Sequence, residues 1–201
     1  MFSGVIQSLV VISDYRLEGD AAVITLAIDK LNKVAIGASI AINGICLTYS
    51  EMAGRDFVFY LSPETLHRTT AGQWKKNQLV NIEPSLQVGQ DIGGHFVFGH
   101  IDGVGEVVAI KKSDMPKANE DMVVKLPPDM MPMMAVKGSI AIDGCALTIN
   151  DIKNDTIAIT LIPHTIEHTI AQYYQVGQKV NVEIDMLMRY VMKALEKMKK
   201  N

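Results

Sequence analysis

Ser39-Ile40-Ala41-Ile42-Asn43-Gly44 returns as Ser139-Ile140-Ala141-Ile142-Asp143-Gly144, and this pair of stretches decides the fold. Working outward, Leu47-Thr48 is repeated as Leu147-Thr148, and Pro63-Glu64-Thr65-Leu66 is answered by Pro163-His164-Thr165-Ile166. Val80-Asn81-Ile82-Glu83 is answered by Val180-Asn181-Val182-Glu183. The matches keep one order and an offset of about 100 residues, too long for the unit of a solenoid. The chain therefore reads as two tandem copies of one domain. At the front of each copy, Met1-Phe2-Ser3-Gly4-Val5 aligns with His100-Ile101-Asp102-Gly103-Val104.

Each copy is built from short β-forming runs. Asp56-Phe57-Val58-Phe59-Tyr60-Leu61 and Thr156-Ile157-Ala158-Ile159-Thr160-Leu161 are rich in β-branched and aromatic residues, which suit a pleated, half-buried surface. Asn43-Gly44 and Asp143-Gly144 are tight-turn signals, because glycine accepts positive φ freely and Asn or Asp tolerates it. Gly54 and Asn154-Asp155 mark the next hairpin. Many short strands in about 90 residues, punctuated by turns, predict a closed barrel. Glu64 to Ala71 and His164 to Ala171 read as short helical turns behind Pro63 and Pro163, a residue suited to the first turn of a helix. Glycines at 89, 93, 94 and 99 put the junction between the copies near Gln87 to His100. The predicted division is 1–95, 96–186 and a tail, 187–201.

Bulk properties narrow the function. Hydrophobic residues make up 48% of the 201, enough for a core without disulfides or metal. A net charge of −3 argues against nucleic acid, whose binding needs a basic face. No apolar run approaches the roughly 20 residues of a membrane span. The start lacks the basic and apolar regions of a secretion signal. Two cysteines, Cys46 and Cys145, are too few for a disulfide framework. The expectation is a cytoplasmic protein with free thiols.

The tail breaks the repeat. From Asp185 onward, Met188, Val191, Leu195 and Met198 recur at helical spacing, with Lys193, Glu196, Lys197, Lys199 and Lys200 opposite. Such a helix either packs on its own domain or associates with another copy, and two heptads alone make a weak oligomeriser. Because each barrel is already closed, the narrow stripe favours self-association.

Few residues suggest chemistry by themselves. Neither cysteine has a Cys or His partner at zinc-like spacing, so no metal site is expected. Gly93-Gly94-His95-Phe96-Val97-Phe98-Gly99-His100 reads either as a functional loop or as two turns around a buried Phe96-Val97 pair. Superposing the copies puts Cys46 on Ala146 and Cys145 on Ile45, so the two thiols face opposite sides of their strands. A strand cysteine is either a small hydrophobe or a nucleophile. Thr48 and Thr148 are ordinary β-formers unless matching polar positions make one pocket per barrel.

Taken together, Met1-Phe2-Ser3-Gly4-Val5-Ile6, Asn43-Gly44-Ile45-Cys46-Leu47-Thr48, Pro63-Glu64-Thr65-Leu66, the Gly93 to His100 stretch and Leu161-Ile162-Pro163-His164-Thr165 resemble the riboflavin synthase alpha-chain family over nearly the whole chain. The resemblance implies a mainly β fold of two tandem six-stranded Greek-key barrels with a C-terminal α-helix, assembled as a homotrimer. It also implies the dismutation of two 6,7-dimethyl-8-ribityllumazine molecules to riboflavin and 5-amino-6-ribitylaminouracil, without metal or redox cofactor. Lumazine synthase is a further partner it suggests.

Carried over motif by motif, the resemblance puts Cys46, Leu47, Thr48 and Tyr60, Leu61, Ser62, Pro63, Glu64, Thr65 in an N-terminal pocket completed by Gly99, His100 and Ile101. It puts Gly4, Val5, Ile6, Lys137, Ala146, Leu147, Thr148 and Thr160, Leu161, Ile162, Pro163, His164, Thr165 in a second pocket, completed across a subunit boundary. Ser39, Thr48, Glu64, Thr65 and Asp185 are candidates for the ribityl hydroxyls. The reaction needs a proton taken from the C7 methyl of one lumazine and a nucleophile added to C7 of the other. His100 suits proton transfer and Cys46 the nucleophilic step. Three positions depart from the family pattern: Ala146 replaces a usual Ser, Phe98 a polar residue and His164 a frequent Glu. The alternative is a non-catalytic lumazine- or flavin-binding antenna protein of light-emitting bacteria.

Overall fold

The computed structural model describes residues 1–27, 34–112, 115 and 118–198. The first copy contributes β1 (Ser8–Glu18), β2 (Ala21–Leu26), β3 (Ser39–Ile42), β4 (Ile45–Ala53), β5 (Asp56–Leu61), α1 (Pro63–Arg68) and β6 (Leu79–Pro84). The second contributes β7 (Gly103–Lys111), β8 (Glu120–Lys125), β9 (Ser139–Ile142), β10 (Cys145–Lys153), β11 (Thr156–Leu161), α2 (Pro163–His168) and β12 (Lys179–Ile184), followed by α3 (Met186–Met198). Each set of six strands closes on itself antiparallel, in the order β1-β2-β5-β4-β3-β6 and, identically, β7-β8-β11-β10-β9-β12. Closure leaves no edge strand to aggregate. Lys199 and Lys200, expected on the polar face of the tail, lie outside the described residues.

Local chemistry explains the matched turns. Asn43 and Asp143 both have φ of 44°, and Gly44 and Gly144 have φ of 77° and 82°. Two consecutive positive φ values match the right-handed twist of the strands they join. Bulges also recur in pairs, at Ser13 and Val108 and at Ser50 and Asn150, and bend the strands toward closure. Ser62 caps α1 by accepting the Thr65 N–H at 3.2 Å, whereas Ile162 gives α2 no side-chain cap. Inside, Ile24, Ile40, Phe59 and Leu61 fill the first barrel, and Met122, Ile140, Ile159 and Leu161 the second.

The offset between copies is not uniform. Ser8 faces Ile82 as Gly103 faces Val182, an offset of 95 residues. Ile24 faces Phe59 as Met122 faces Ile159, an offset of 98. From β3 onward the offset is 100. Residues inserted between the first three strands of the second copy absorb the difference. Consequently Met1-Phe2-Ser3-Gly4-Val5-Ile6 corresponds to Phe96-Val97-Phe98-Gly99-His100-Ile101, and the expected match to His100–Val104 is corrected. The shared Gly-Val of the two segments favours the wrong register, while long-range pairing sets the right one. Phe2 and Val97 form a reciprocal bridge and are both buried. Phe96, which one of the two readings of this loop buried beside Val97, is 44% exposed.

The barrels pack back to back about a pseudo-twofold axis. Gly44 sits against Gly144 so closely that a Cβ on it would lie 2.6 Å from the Gly144 nitrogen. Asn81 and Asn181 cross this axis. Asn181 Oδ1 accepts the Thr70 N–H and its Nδ2 donates to the Asn43 carbonyl, at 2.7 and 2.9 Å. Asn81 does the same with Ile170 and Asp143, at 2.8 and 2.9 Å. These buried amides are satisfied only across the interface, so separating the barrels would strand them.

The Asp185 side chain accepts the Leu187 N–H at the start of α3. Arg189 pairs with Asp102, and Met188 packs on the core of the second barrel. Val191, Leu195 and Met198, predicted on the same stripe, remain exposed with Leu187 and Tyr190. Among the described residues no helix is long and apolar enough to cross a membrane.

Candidate active site

The pleat of β4 decides where a ligand can meet the protein. Leu47 and Tyr49 point into the barrel core, so Cys46 and Thr48 point outward. Likewise Leu61 and Leu161 belong to the cores. Leu147 is half-buried against the second core. Those leucines can therefore offer a ligand their backbone, while their side chains hold the barrel. The candidate sites lie on the outer walls, where β4–β5–α1 and β10–β11–α2 face solvent.

Each wall is completed by the segment that leads into the other barrel. On the first, the Cys46 N–H donates to the Gly99 carbonyl at 2.9 Å. Gly99 has φ of 77°, and a Cβ there would fall 2.5 Å from that of Cys46, so only glycine allows this approach. The contact brings His100 to the Cys46 wall, exposed, with its ring 6.3 Å from Phe98; Ile101 packs against the first core. Ser39 and Thr48 are cross-strand partners. The Tyr60 hydroxyl donates to Glu51 at 2.7 Å, which raises its pKa. Ser62 and Thr65 hydroxyls pair at 3.0 Å, and Glu64 accepts from Arg68 at 2.6 Å.

The second wall repeats the design with different side chains. The Ala146 N–H donates to the Gly4 carbonyl at 2.9 Å, and a Cβ on Gly4 (φ 75°) would fall 2.5 Å from that of Ala146. Val5 is exposed and Ile6 half-buried beside it. Ser139 faces Thr148, which is exposed. Thr160 donates to Asp121 at 2.7 Å and accepts from Asn150 at 2.8 Å. His164, behind Ile162 and Pro163 and followed by Thr165, stacks on His168 with ring centroids 4.2 Å apart. Lys137 lies in the turn before β9 with φ of 66°, its N–H on the Ile149 carbonyl at 2.7 Å. Asp185 is engaged at the start of α3, as described above.

Two carboxylates hold the lead-in segments in place. Glu83 Oε1 accepts the Ser3 N–H and hydroxyl, both at 2.7 Å, and Oε2 accepts the Gly4 N–H at 3.0 Å. Glu183 accepts the Phe98 and Gly99 N–H groups at 2.7 and 2.8 Å. Burial pushes both carboxyls up, and the backbone donors pull them back down. Neither glutamate is among the site residues that the motifs imply, although a glutamate repeated inside an apolar strand is a visible signal in the sequence. His95 donates its backbone N–H to the Ser3 carbonyl, and burial lowers its ring pKa against the nearby Asp185.

Two clefts among the described residues lie largely away from those walls. One of about 700 Å³, lined by Ser3, Val5, Gln7, Glu83 and the 84–93 segment, includes only Val5 of the predicted residues. Another, of about 560 Å³, lies between the barrels and includes none.

Two closed barrels with reciprocal lead-ins and a repeated outer wall define a class, the tandem lumazine-binding barrels. The family model described as "Lumazine binding domain" matches twice, over residues 3–85 and 98–185. The chain belongs to the riboflavin synthase family. It is 37% identical to the riboflavin synthase of Bacillus subtilis (strain 168) over 202 residues, covering 100% of this chain and 93% of that protein. Identity is 36% to the Photobacterium phosphoreum riboflavin synthase, covering 97% and 89%. To that of Chlamydia muridarum (strain MoPn / Nigg) it is 38%, covering 93% and 91%. Among solved structures, LumP complexed with riboflavin superposes with a TM-score of 0.84 at 25% identity, covering 92% of this chain and 99% of that one. LumP complexed with 6,7-dimethyl-8-(1'-D-ribityl) lumazine gives 0.82 at 24%, with the same coverage, a likeness of fold.

Proposed function

We propose that this chain is a transferase of riboflavin synthesis: it dismutates two molecules of 6,7-dimethyl-8-ribityllumazine into riboflavin and 5-amino-6-ribitylaminouracil. One observation carries the reading. At equivalent positions the first wall bears Cys46 and His100, where the second bears Ala146 and Val5. The reaction uses two identical substrates in different roles, one giving up a four-carbon unit and one receiving it. Two sites of one scaffold with unequal chemistry meet that need.

In this reading the first wall holds the lumazine whose C7 methyl is deprotonated, with His100 as the proton-transfer group. Cys46 assists nucleophilic addition at C7 of the partner substrate, directly or through water. The second wall positions the other lumazine through backbone groups and through Thr148, Thr160 and Thr165. Holding both rings face to face turns a second-order encounter into an intramolecular one. Because both walls are open, the complete site lies between the first barrel of one subunit and the second barrel of another. The exposed apolar residues of α3 support a homotrimer. A cytoplasmic location, boundaries at 95/96 and 186/187, and an association with lumazine synthase complete the proposal.

Incubation of the purified protein with the lumazine alone tests it. Riboflavin should appear at half the moles of substrate consumed, and Cys46→Ala or His100→Ala should slow turnover by about 100-fold, typical of a lost proton-transfer group. Stable ligand fluorescence without turnover would instead favour the antenna reading, toward which Ala146 points. Full turnover in both variants would remove those residues from the chemistry.

A further inference from the structure

The two lead-in segments are fastened by carboxylates that belong neither to the segment nor to the wall it completes. Glu183 projects from β12 of the second barrel, yet the segment it grips, Phe98-Gly99 just ahead of His100, lies on the Cys46 wall of the first. Glu83 projects from β6 of the first barrel and grips Ser3-Gly4, which lies on the Ala146 wall of the second. Consecutive backbone N–H groups converging on an anion form a nest. Such a contact sets the backbone direction at its last residue. On one side the residue that follows is His100; on the other it is Val5.

From this geometry we infer that Glu183 is a positioning residue for His100, acting across the barrel boundary. Glu83 is its structural counterpart on the wall whose lead-in carries Val5 in place of a histidine. Both glutamates are nearly fully buried, 2% exposed for Glu83 and 3% for Glu183, and both accept from two consecutive backbone donors. They therefore share a structural duty and differ in what the fastened segment carries. Gly99 reinforces the constraint, since its contact with Cys46 leaves the segment little room to shift. The inference rests on the proposed role of His100, and its consequence is asymmetric. Loosening the Glu183 nest lets the imidazole wander from the proton it moves, whereas loosening the Glu83 nest disturbs the wall on which the second substrate lies.

The test compares Glu183→Gln with Glu83→Gln in the full-length protein, following riboflavin formation from 6,7-dimethyl-8-ribityllumazine. Glu183→Gln should lower kcat about tenfold or more and change the pH profile of kcat, while Glu83→Gln should act mainly by raising KM. A double-mutant cycle makes the link to His100 explicit: in a His100→Ala background, Glu183→Gln should lose most of its effect on kcat. Glu183→Asp, which keeps the carboxylate, should recover part of the loss and serves as the second variant if Gln prevents folding. Equal kcat losses in both Gln variants, an additive cycle with His100→Ala, or no recovery by Asp would overturn the inference. Wild-type protein that forms no riboflavin would overturn the proposed activity instead, a separate outcome.

Discussion

At the scale of single residues, the wall around Ala146 is the place to measure what one hydroxyl contributes. Gly4 and Gly94 both press on its methyl group, so the position is tightly enclosed on the protein side yet only half-buried overall. Ala146→Ser adds one hydrogen-bonding group to the second wall. At about 1 kcal/mol per hydrogen bond, KM for the lumazine should fall about fivefold in steady-state assays. Asp143 poses an electrostatic question. Its partner in the first copy is Asn43, and both side chains accept the N–H of the facing asparagine, Asn181 and Asn81, at 2.8 and 2.7 Å. Tyr174 donates to the other Asp143 oxygen at 2.7 Å, but full burial still pushes the carboxyl from 3.8 up to about 7. A raised acid adds stability that is fully present below pH 3.8 and is lost as pH rises through about 7. Asp143→Asn should therefore flatten stability between those limits and raise it above pH 7 by a few kcal/mol, at about 1.4 kcal/mol per tenfold change in proton affinity. Urea denaturation at a series of pH values checks both.

At the scale of elements, the two lead-ins and α3 matter most, since none is a strand of either barrel. α3 is fixed at its start by the Asp185 cap, Met188 and the Arg189–Asp102 pair, and beyond that it presents Tyr190, Val191, Leu195 and Met198 to solvent. An amphipathic helix with its apolar face exposed calls for a partner surface. Truncation after Asp185 should convert the proposed homotrimer into a smaller species by light scattering while leaving the far-ultraviolet β signature of the barrels. An unchanged mass would place the association elsewhere. The periodicity of the tail was legible in the sequence. That Met188 serves the chain's own barrel while the rest of the stripe stays free was not, because one helical face packs against whatever the fold places beneath it.

At the scale of the whole molecule, the barrels are coupled by Asn81, Asn181 and the exchanged lead-ins, so neither keeps its buried polar groups satisfied without the other. Unfolding in urea should therefore be one transition. The fluorescence of Trp74, the sole tryptophan and a residue of the first barrel, should change together with circular dichroism from both halves. Asn181→Ala, which strands the Thr70 N–H and the Asn43 carbonyl, should lower stability by about 2–4 kcal/mol. Much of this architecture could be read directly from the residues: the duplication, the turns at Asn43-Gly44 and Asp143-Gly144, the strands at 56–61 and 156–161, and the motifs around Cys46 and His100. Such features are local, because turn chemistry and pleat alternation are written in neighbouring side chains. The 95-residue register of the lead-ins, the assignment of each to the opposite barrel and the clamps at Glu83 and Glu183 were settled only by tertiary structure. Each joins residues some 80 or more positions apart, and periodicity carries no information about which distant carboxylate will meet which backbone amide.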